Sequence, residues 1–144
     1  MSPERSEFLE MLEMGLEDAD PFMTQLLEFE EKRQKRKIIL IPSETICPRA
    51  VRQALASPFT SVYAEGYPPQ LMEGAKEEEL EDIELQLTRY RRYGDRRFYK
   101  GTEYVHLVEE LAKARARRLF SSPECPPEAI FVNVQPLSGA AANN

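Results

Sequence analysis

The sequence has few of the residues on which metal sites and nucleophilic catalysis depend. It contains one histidine, His106, and two cysteines, Cys47 and Cys125, which lie in separate segments without the spacing of metal ligands. The sequence therefore supports neither a metal site nor a Ser-His-Asp triad. We expect the two cysteines to be reduced thiols rather than a disulfide or a reactive nucleophile, and His106 to be an ordinary helix residue.

Glycine and basic charge are also scarce. The chain has 6 glycines against 11 prolines, so its turns are mostly fixed, and it carries neither the P-loop nor the dinucleotide-binding glycine pattern. Its 19 basic and 25 acidic residues give a net charge of -6. Surfaces that bind nucleic acid usually show a basic excess, so we expect no nucleic-acid partner.

Long apolar segments are absent too. The longest apolar run, residues 38–41, is far shorter than a membrane span, and the charged N-terminal residues lack the apolar region of a signal peptide. These features predict a cytoplasmic protein that does not bind a membrane. What the chain does have, 144 residues with 42% hydrophobic and 31% charged side chains, is typical of one globular domain.

Apolar residues at three- and four-residue spacing predict that most of the chain is helical. The predicted helices cover about residues 3–18, 21–37, 48–57, 73–92 and 102–120. Asp20 and Pro21 supply an N-cap and a first-turn proline for the second helix, and the basic run 32–37 indicates its C-terminus rather than a nucleic-acid patch. Residues 38–41 are predicted to form a short strand and residues 129–134 a buried strand.

The C-terminal third holds the longest predicted helix and a candidate phosphate turn. One face of the helix over residues 102–120 gathers five apolar side chains, Val105, Val108, Leu111, Ala112 and Leu119. The chain ends on Ser138-Gly139 followed by small helix-forming residues, the pattern with which α/β proteins begin a phosphate-binding helix. A buried strand without a following partner predicts that these residues are one part of a longer α/β unit.

Four segments together resemble serine hydroxymethyltransferase in order and spacing. They are Ile-Pro-Ser-Glu at 41–44, Tyr-Ala-Glu-Gly-Tyr-Pro at 63–68, Gly-Thr-Glu-Tyr at 101–104 with its long helix, and Asn-Val-Gln-Pro-Leu-Ser-Gly at 133–139. The second and the fourth are the most specific. The resemblance runs from about Phe29 to Asn144 and is interrupted by one charged insertion between Pro69 and Arg96.

The resemblance implies an α/β protein of the fold-type I pyridoxal-phosphate class, mostly helical over these residues. It divides the chain into an N-terminal helical arm (1–37), a segment that contacts substrate and the second subunit (38–72), a charged helical insertion (73–96) and the start of the cofactor-binding large domain (97–144). Members of the family interconvert serine and glycine, with pyridoxal 5'-phosphate as electron sink and tetrahydrofolate as one-carbon carrier. The implied partners are a small amino acid, folate and a second copy of the chain in a homodimer.

The resemblance also assigns site residues. Ser43 would contact the substrate carboxylate, and Tyr63 and Glu65 would project into the active site of the neighbouring subunit. Glu65 would be the catalytic carboxylate that handles protons, because a carboxyl group desolvated at an interface can hold a proton near neutral pH. Tyr99 matches the second tyrosine of the family's Arg-Tyr-Tyr-Gly-Gly segment and would also contact substrate. The cofactor phosphate would be held at a helix N-terminus by Ser138, Gly139 and Ala140.

Departures from the family pattern indicate a divergent branch. Phe98 replaces a tyrosine, Lys100 a glycine and Leu137 a histidine, while Ala140 replaces a serine and so removes one phosphate ligand. The lysine that forms the Schiff base, the aspartate that pairs with the pyridine nitrogen and the arginine that binds the substrate carboxylate would all follow Asn144. We therefore expect this chain alone to be inactive.

Two other functions stay open at this point. The chain could be a non-catalytic docking fragment or half of a split enzyme, with apolar helix faces as docking surfaces: Phe22, Leu26 and Phe29 on one helix, and Leu80, Ile83 and Leu87 on another. It could also belong to a pyridoxal-phosphate enzyme with a different amino-acid substrate, which would fit Phe98 and Ala140.

Overall fold

Helices dominate the chain, as the spacing of its apolar residues predicts. The computed structural model describes residues 3–93 and 96–144, which fall into two compact units, Met1–Arg52 and Gln53–Asn144. The α-helices within these described ranges are α1 (Pro3–Glu13), α2 (Leu16–Ala19), α3 (Pro21–Arg36), α4 (Arg49–Leu55), α5 (Glu77–Glu81), α6 (Ile83–Tyr93), α7 (Glu103–Phe120) and α8 (Gly139–Ala142).

The first unit contains α1, α2 and α3. The helix predicted over residues 3–18 is divided in two at Met14 and Gly15. The start of α3 is confirmed: the Asp20 carboxylate accepts a hydrogen bond from the Met23 amide (2.9 Å), and Pro21 occupies the first turn. The basic residues end α3, where they face the negative end of the helix dipole.

The strand predicted over residues 38–41 does not form. This segment is irregular, with Ile38 87% and Leu40 84% exposed. A strand is held by the backbone hydrogen bonds of a neighbouring strand, and the described part of the chain pairs no strand with this segment. The apolar sequence therefore lacks the partner that would turn it into a strand.

The second unit is built around a short antiparallel pair. Strand β1 (Gly66–Tyr67) pairs with β2 (Arg96–Arg97), with Gly66 opposite Arg97 and Tyr67 opposite Arg96. Gly66 has a φ of 109°, and a Cβ at this position would lie 2.7 Å from the Arg97 Cα. Only glycine fits such a conformation and such a close approach of two backbones.

The insertion forms a helical excursion between the two strands. It comprises a short 3-10 helix (Gln70–Met72), α5 and α6. The prediction of a single surface helix over residues 73–92 is therefore wrong, because the helix is interrupted at Asp82. The Asp82 carboxylate accepts a hydrogen bond from the Leu85 amide (3.0 Å) and caps α6. The insertion is not confined to the surface either, because Leu80 is only 4% exposed.

The buried apolar cluster of the described residues joins this insertion to α7. Met72, Ala75 and Leu80 pack against Leu107, with Leu111 partly buried beside them. Two exposed ion pairs add to the contact between α5 and α7. The Glu77 carboxylate lies 2.7 Å from Arg115 Nη2 and 3.1 Å from Arg118 Nη1. Such exposed pairs contribute little, so the apolar cluster accounts for most of the docking energy.

Beside the apolar Leu107, α7 buries several polar side chains, which the apolar spacing does not predict. Val108 is 47% and Leu119 77% exposed, whereas His106, Glu109 and Glu110 are buried. The predicted apolar face is therefore wrong as a buried face within these residues. His106 and Glu109 can be buried because Arg97 of β2 and Gln135 satisfy their hydrogen bonds.

The last segment differs from the predicted buried strand over residues 129–134. A 3-10 helix (Pro127–Ala129) precedes an irregular stretch in which Phe131 is 98% exposed, and the described residues provide no strand beside it. The helix start after it is confirmed, because Ser138 caps α8 by accepting a hydrogen bond from the Ala141 amide (3.1 Å). None of the helices in the described ranges has the length and apolarity that crossing a membrane would require.

Candidate active site

Residues on either side of the insertion meet at the β1–β2 pair. The Phe98 amide donates a hydrogen bond to the Glu65 carbonyl oxygen (3.1 Å), next to the paired strands. The rings of Tyr63 and Tyr99 contact edge to face, with centroids 4.9 Å apart. Three predicted site residues, Tyr63, Glu65 and Tyr99, are thus brought together, and all three side chains are exposed.

Arg97 fixes the backbone on both sides of Glu65. Its Nη1 donates hydrogen bonds to the carbonyl oxygens of Ala64 (2.5 Å) and Gly66 (2.9 Å), while its Nη2 pairs with the Glu109 Oε2 (2.6 Å). The arginine is only 5% exposed. A buried guanidinium with several fixed acceptors is held in one geometry, so the loop that carries Glu65 is held as well.

Glu109 and Lys113 on α7 form the charged centre of this cluster. The Lys113 Nζ lies 3.0 Å from Glu109 Oε1 and 2.9 Å from Glu110 Oε1. Burial raises the pKa of Glu109, but hydrogen bonds from Arg97, Lys113 and Gln135 outweigh it, so the pKa lies below its ordinary value. Burial lowers the pKa of Lys113, yet its hydrogen bonds to the two glutamates raise it above the ordinary value. Both groups are therefore charged at neutral pH.

His106 belongs to the same cluster and is fully buried. Its Nδ1 accepts a hydrogen bond from Arg97 Nε (3.0 Å), so the imidazole proton is on Nε2, which lies 3.3 Å from the Thr102 hydroxyl. The Tyr90 ring of the insertion lies 5.4 Å from the imidazole. The only histidine of the chain is thus a buried, packed member of the cluster.

Gln135 links the last predicted site segment to this cluster. Its Nε2 donates to the Gly66 carbonyl oxygen (2.9 Å) and to Glu109 Oε1 (3.0 Å). Sequence reasoning singled out neither Arg97 nor Glu109 nor Gln135. A signal existed for two of them. Gln135 lies inside the motif at residues 133–139, and Arg97 stands two residues before Tyr99, at the arginine of the family's Arg-Tyr-Tyr-Gly-Gly segment. Glu109, in contrast, is one of many helical glutamates.

The turn at residues 138–140, where the sequence predicts phosphate binding, leaves two backbone amides without a hydrogen bond among the described residues. Ser138 turns its hydroxyl oxygen to the Ala141 amide, and the amides of Gly139 and Ala140 donate no hydrogen bond within the described residues. A Cβ added to Gly139 would meet no atom within 4 Å, so this side of the glycine is open. Two available N–H groups and a hydroxyl that can still donate are the groups that bind phosphate.

Ser43 lies in the first compact unit, in a turn that the Glu44 amide closes by donating to the Ile41 carbonyl oxygen (3.0 Å). Its proximity to the other site residues stays a prediction.

The substitutions noted in the sequence fall on exposed positions: Phe98 is 76% and Leu137 99% exposed. Neither side chain packs into the described cluster.

A separate cavity of about 860 Å³ opens between α7 and the segments at residues 73–78 and 127–133. Its lining includes Glu110, whose Oε2 has no hydrogen-bond partner among the described residues, together with Lys113 and Phe131. None of the predicted site residues lines this cavity. The candidate site is therefore the exposed surface around Glu65 and the turn at 138–140, and not this cavity.

Comparison with known proteins gives a family for this arrangement. The family model described as serine hydroxymethyltransferase matches residues 16–93 and 85–144, in two overlapping pieces that meet in the insertion. The two matches together cover both sets of site residues. No solved structure matches the chain.

Curated relatives carry the same description. The chain is 37% identical over 134 residues to the cytosolic serine hydroxymethyltransferase of Aspergillus fumigatus, 38% over 130 residues to the serine hydroxymethyltransferase of Aggregatibacter actinomycetemcomitans, and 36% over 132 residues to that of a Psychrobacter species. These matches cover 93%, 90% and 92% of this chain but only 22%, 23% and 24% of the relatives, so the chain spans less than a quarter of their length. From its motifs, the family match and these identities, the chain belongs to the serine hydroxymethyltransferase family.

Proposed function

We propose that this chain is the N-terminal portion of a serine hydroxymethyltransferase and supplies residues to the active sites of a homodimer. The complete enzyme would interconvert serine and glycine, with tetrahydrofolate carrying the one-carbon unit. The observation that supports this most directly is the meeting of Tyr63, Glu65 and Tyr99 at the β1–β2 pair. The insertion separates these residues in sequence but leaves the family's substrate motif assembled in space.

Glu65 would be the group that moves a proton to or from the substrate hydroxyl. Its backbone is held by Arg97 and by the Phe98 amide, while its side chain is exposed in this chain. A second subunit placed over this surface would remove water from the carboxyl group, and a desolvated carboxyl group can serve as acid and base near neutral pH. Tyr63 and Tyr99 would line the same surface and contact the amino acid, and Ser43 would contact its carboxylate.

Residues 138–140 would hold the phosphate of pyridoxal 5'-phosphate. The two undonated amides of Gly139 and Ala140 and the Ser138 hydroxyl fit a phosphate group, although Ala140 provides one hydroxyl fewer than the family's serine. When bound, the cofactor supplies an electron sink for bond cleavage at the substrate carbon. The lysine that would anchor it lies outside this chain, so the 144 residues alone would not carry out the reaction.

The compartment follows the same proposal. The relative from Aspergillus fumigatus is named as cytosolic. We infer a cytoplasmic location for the protein that contains this chain, since serine, glycine and folate are small soluble molecules that the enzyme would meet there.

The test is the substitution Glu65→Gln in the complete protein. It keeps the shape of the side chain but removes the proton-handling carboxyl group, so folate-dependent serine cleavage should fall by about 100-fold or more. The dissociation constant of pyridoxal phosphate, followed by absorbance, should stay unchanged because Glu65 is proposed to act on the substrate and not to bind the cofactor phosphate.

A matched control is Glu81→Gln, which makes the same chemical change at an exposed position in the insertion. This variant should retain the parent rate. If Glu65→Gln cleaved serine as fast as Glu81→Gln, the catalytic role of Glu65 would be refuted.

A further inference from the structure

The carbonyl groups of three consecutive residues around Glu65 are each held by a hydrogen bond. Those of Ala64 and Gly66 accept from Arg97 Nη1, and that of Glu65 accepts from the Phe98 amide. The Glu65 side chain itself is exposed. These hydrogen bonds therefore hold the backbone from which the Glu65 carboxyl group projects.

Two polar side chains brace that backbone from below. Gln135 donates one N–H to the Gly66 carbonyl oxygen (2.9 Å) and the other to Glu109 Oε1 (3.0 Å). Glu109 in turn accepts from Arg97 Nη2 at 2.6 Å. The Gly66 carbonyl oxygen thus accepts hydrogen bonds from both Arg97 and Gln135, which occupy both of its lone pairs.

The position of Gln135 is itself fixed. Its amide donates to Asn133 Oδ1 (3.0 Å), which forms a tight turn, and Ser138 follows only three residues later. Gln135 therefore ties the turn at residues 138–140 to the loop that carries Glu65.

Stability alone is a weak reason for this arrangement. Glu109 is 9% and Arg97 5% exposed. Removing such charges from water carries a large desolvation penalty, which the ion pair and its hydrogen bonds must offset. Apolar side chains of similar volume often stabilise a protein as well or better. A buried, fully hydrogen-bonded brace instead fixes geometry, which is what a projecting catalytic carboxyl group requires.

We propose that Gln135 and Glu109 are positioning residues that act through Glu65: they hold the loop at residues 64–66 so that the Glu65 carboxyl group reaches the reacting substrate. The inference rests on the proposed function of Glu65. It adds two residues that touch neither substrate nor cofactor.

The test is a double-mutant cycle in the complete protein with cofactor bound. Gln135→Met keeps the length of the side chain but removes both N–H donors, so the kcat of folate-dependent serine cleavage should fall between about 10-fold and 100-fold. The KM for serine should change little. In a Glu65→Gln background, where the residual rate is followed with labelled serine, Gln135→Met should lower kcat no further, because the group that it positions is gone.

Further measurements separate the possible failures. Gln53→Met is an exposed control for the same exchange and should leave kcat unchanged. Glu109→Gln is a second variant, should Gln135→Met fold poorly, and its effect should also vanish in the Glu65→Gln background. Without cofactor, hydrogen exchange at the Phe98 amide should be faster in Gln135→Met than in Gln53→Met.

Two results would overturn the inference, and they differ. If Gln135→Met lowered kcat by the same factor with and without Glu65, or left Phe98 exchange unchanged, Gln135 would not act through this loop. If Glu65→Gln retained the parent kcat, the proposed function of Glu65 would fail first, and the positioning role would fail with it.

Discussion

At the scale of single residues, the most consequential feature is a buried cluster of charges on one face of α7. Glu109 joins Arg97, Lys113 and Gln135 in one hydrogen-bonded group, with His106 beside it. The local sequence of α7 does not reveal this face, because periodicity ranks helix faces by their apolar residues. Polar residues are buried only when distant segments satisfy them, and those segments are visible only in three dimensions.

The charge of Glu109 should make stability depend on pH. Its pKa in the folded chain lies below the ordinary value of 4.5, so its contribution is fully present above pH 4.5 and is lost as the pH falls further, through the folded-state pKa. Glu109→Gln should therefore lower the free energy of unfolding at pH 7. The loss of stability on acidification below pH 4.5 should also be smaller than in the parent chain.

Urea unfolding of the 144-residue chain at pH 7 and at pH 3 measures both effects. Glu81→Gln, on the exposed side of α5, provides the comparison and should reproduce the parent curve more closely. Equal unfolding free energies for parent and Glu109→Gln at pH 7 would mean that the buried ion pair contributes nothing to stability.

At the scale of elements, the insertion is the largest departure from the sequence prediction. A charged, helical, exposed segment was expected, and the segment is charged and helical. It is divided at Asp82, and it supplies Met72, Ala75 and Leu80 to the apolar cluster with α7. The break had a local signal, since aspartate is a good N-cap. The packing of the insertion against α7 had no local signal, because the spacing of Leu80, Ile83 and Leu87 also fits a surface helix.

This docking makes Leu80 a test of the insertion's role. Leu80→Ala removes a side chain that is 4% exposed, and such truncations of buried leucine cost about 2–5 kcal/mol of unfolding free energy. Leu85→Ala makes the same change in α6 at a side chain that is 39% exposed, and should cost much less. Urea titration of both variants measures the difference. Equal midpoints would show that the insertion does not stabilise the unit through this cluster.

Leu80 also bears on one suggested docking surface. The face Leu80, Ile83 and Leu87 was suggested as a surface for a partner, but Leu80 already packs inside the chain. The face Phe22, Leu26 and Phe29 of α3 is exposed, at 67%, 43% and 55%. Local pattern predicts that a helix has an apolar face, but which neighbour covers that face depends on the rest of the fold.

The two predicted strands show the same limit. Residues 38–41 and 129–134 have strand-like composition, yet both are irregular here. Strand composition reflects packing on a half-buried sheet, and a sheet needs neighbours that the described residues do not provide. The strands that do form, β1 and β2, are two residues long, and their sequence gives no periodic signal.

At the scale of the whole molecule, the family and most of the helices were predictable from the sequence. The reason is that the motifs at residues 63–68 and 133–139 are specific to the family, whereas the apolar spacing of a helix is shared by many folds. The coming together of Tyr63, Glu65 and Tyr99 across the insertion could not be read from spacing. It depends on Gly66 permitting a close approach that β2 then uses.

Glu65 is proposed to serve the neighbouring subunit while Ser138 serves its own, and mixing subunits of the complete protein tests this assignment. Glu65→Gln removes the carboxyl group. Ser138→Asp keeps a cap for the Ala141 amide but places a negative charge against the phosphate. Each homodimer alone should be nearly inactive. In a mixed dimer, one site would combine an intact phosphate turn with an intact Glu65 from the other subunit.

The measurement is the rate of folate-dependent serine cleavage after the two variants are co-refolded in equal amounts. If Glu65 serves the neighbouring subunit, the cleavage rate should recover to about a quarter of the parent rate. Half of the dimers are mixed, and each mixed dimer has one of its two sites intact. If Glu65 served its own subunit, every site in a mixed dimer would carry one defect. A rate no higher than that of the separate homodimers would contradict the assignment of Glu65 to the neighbouring subunit.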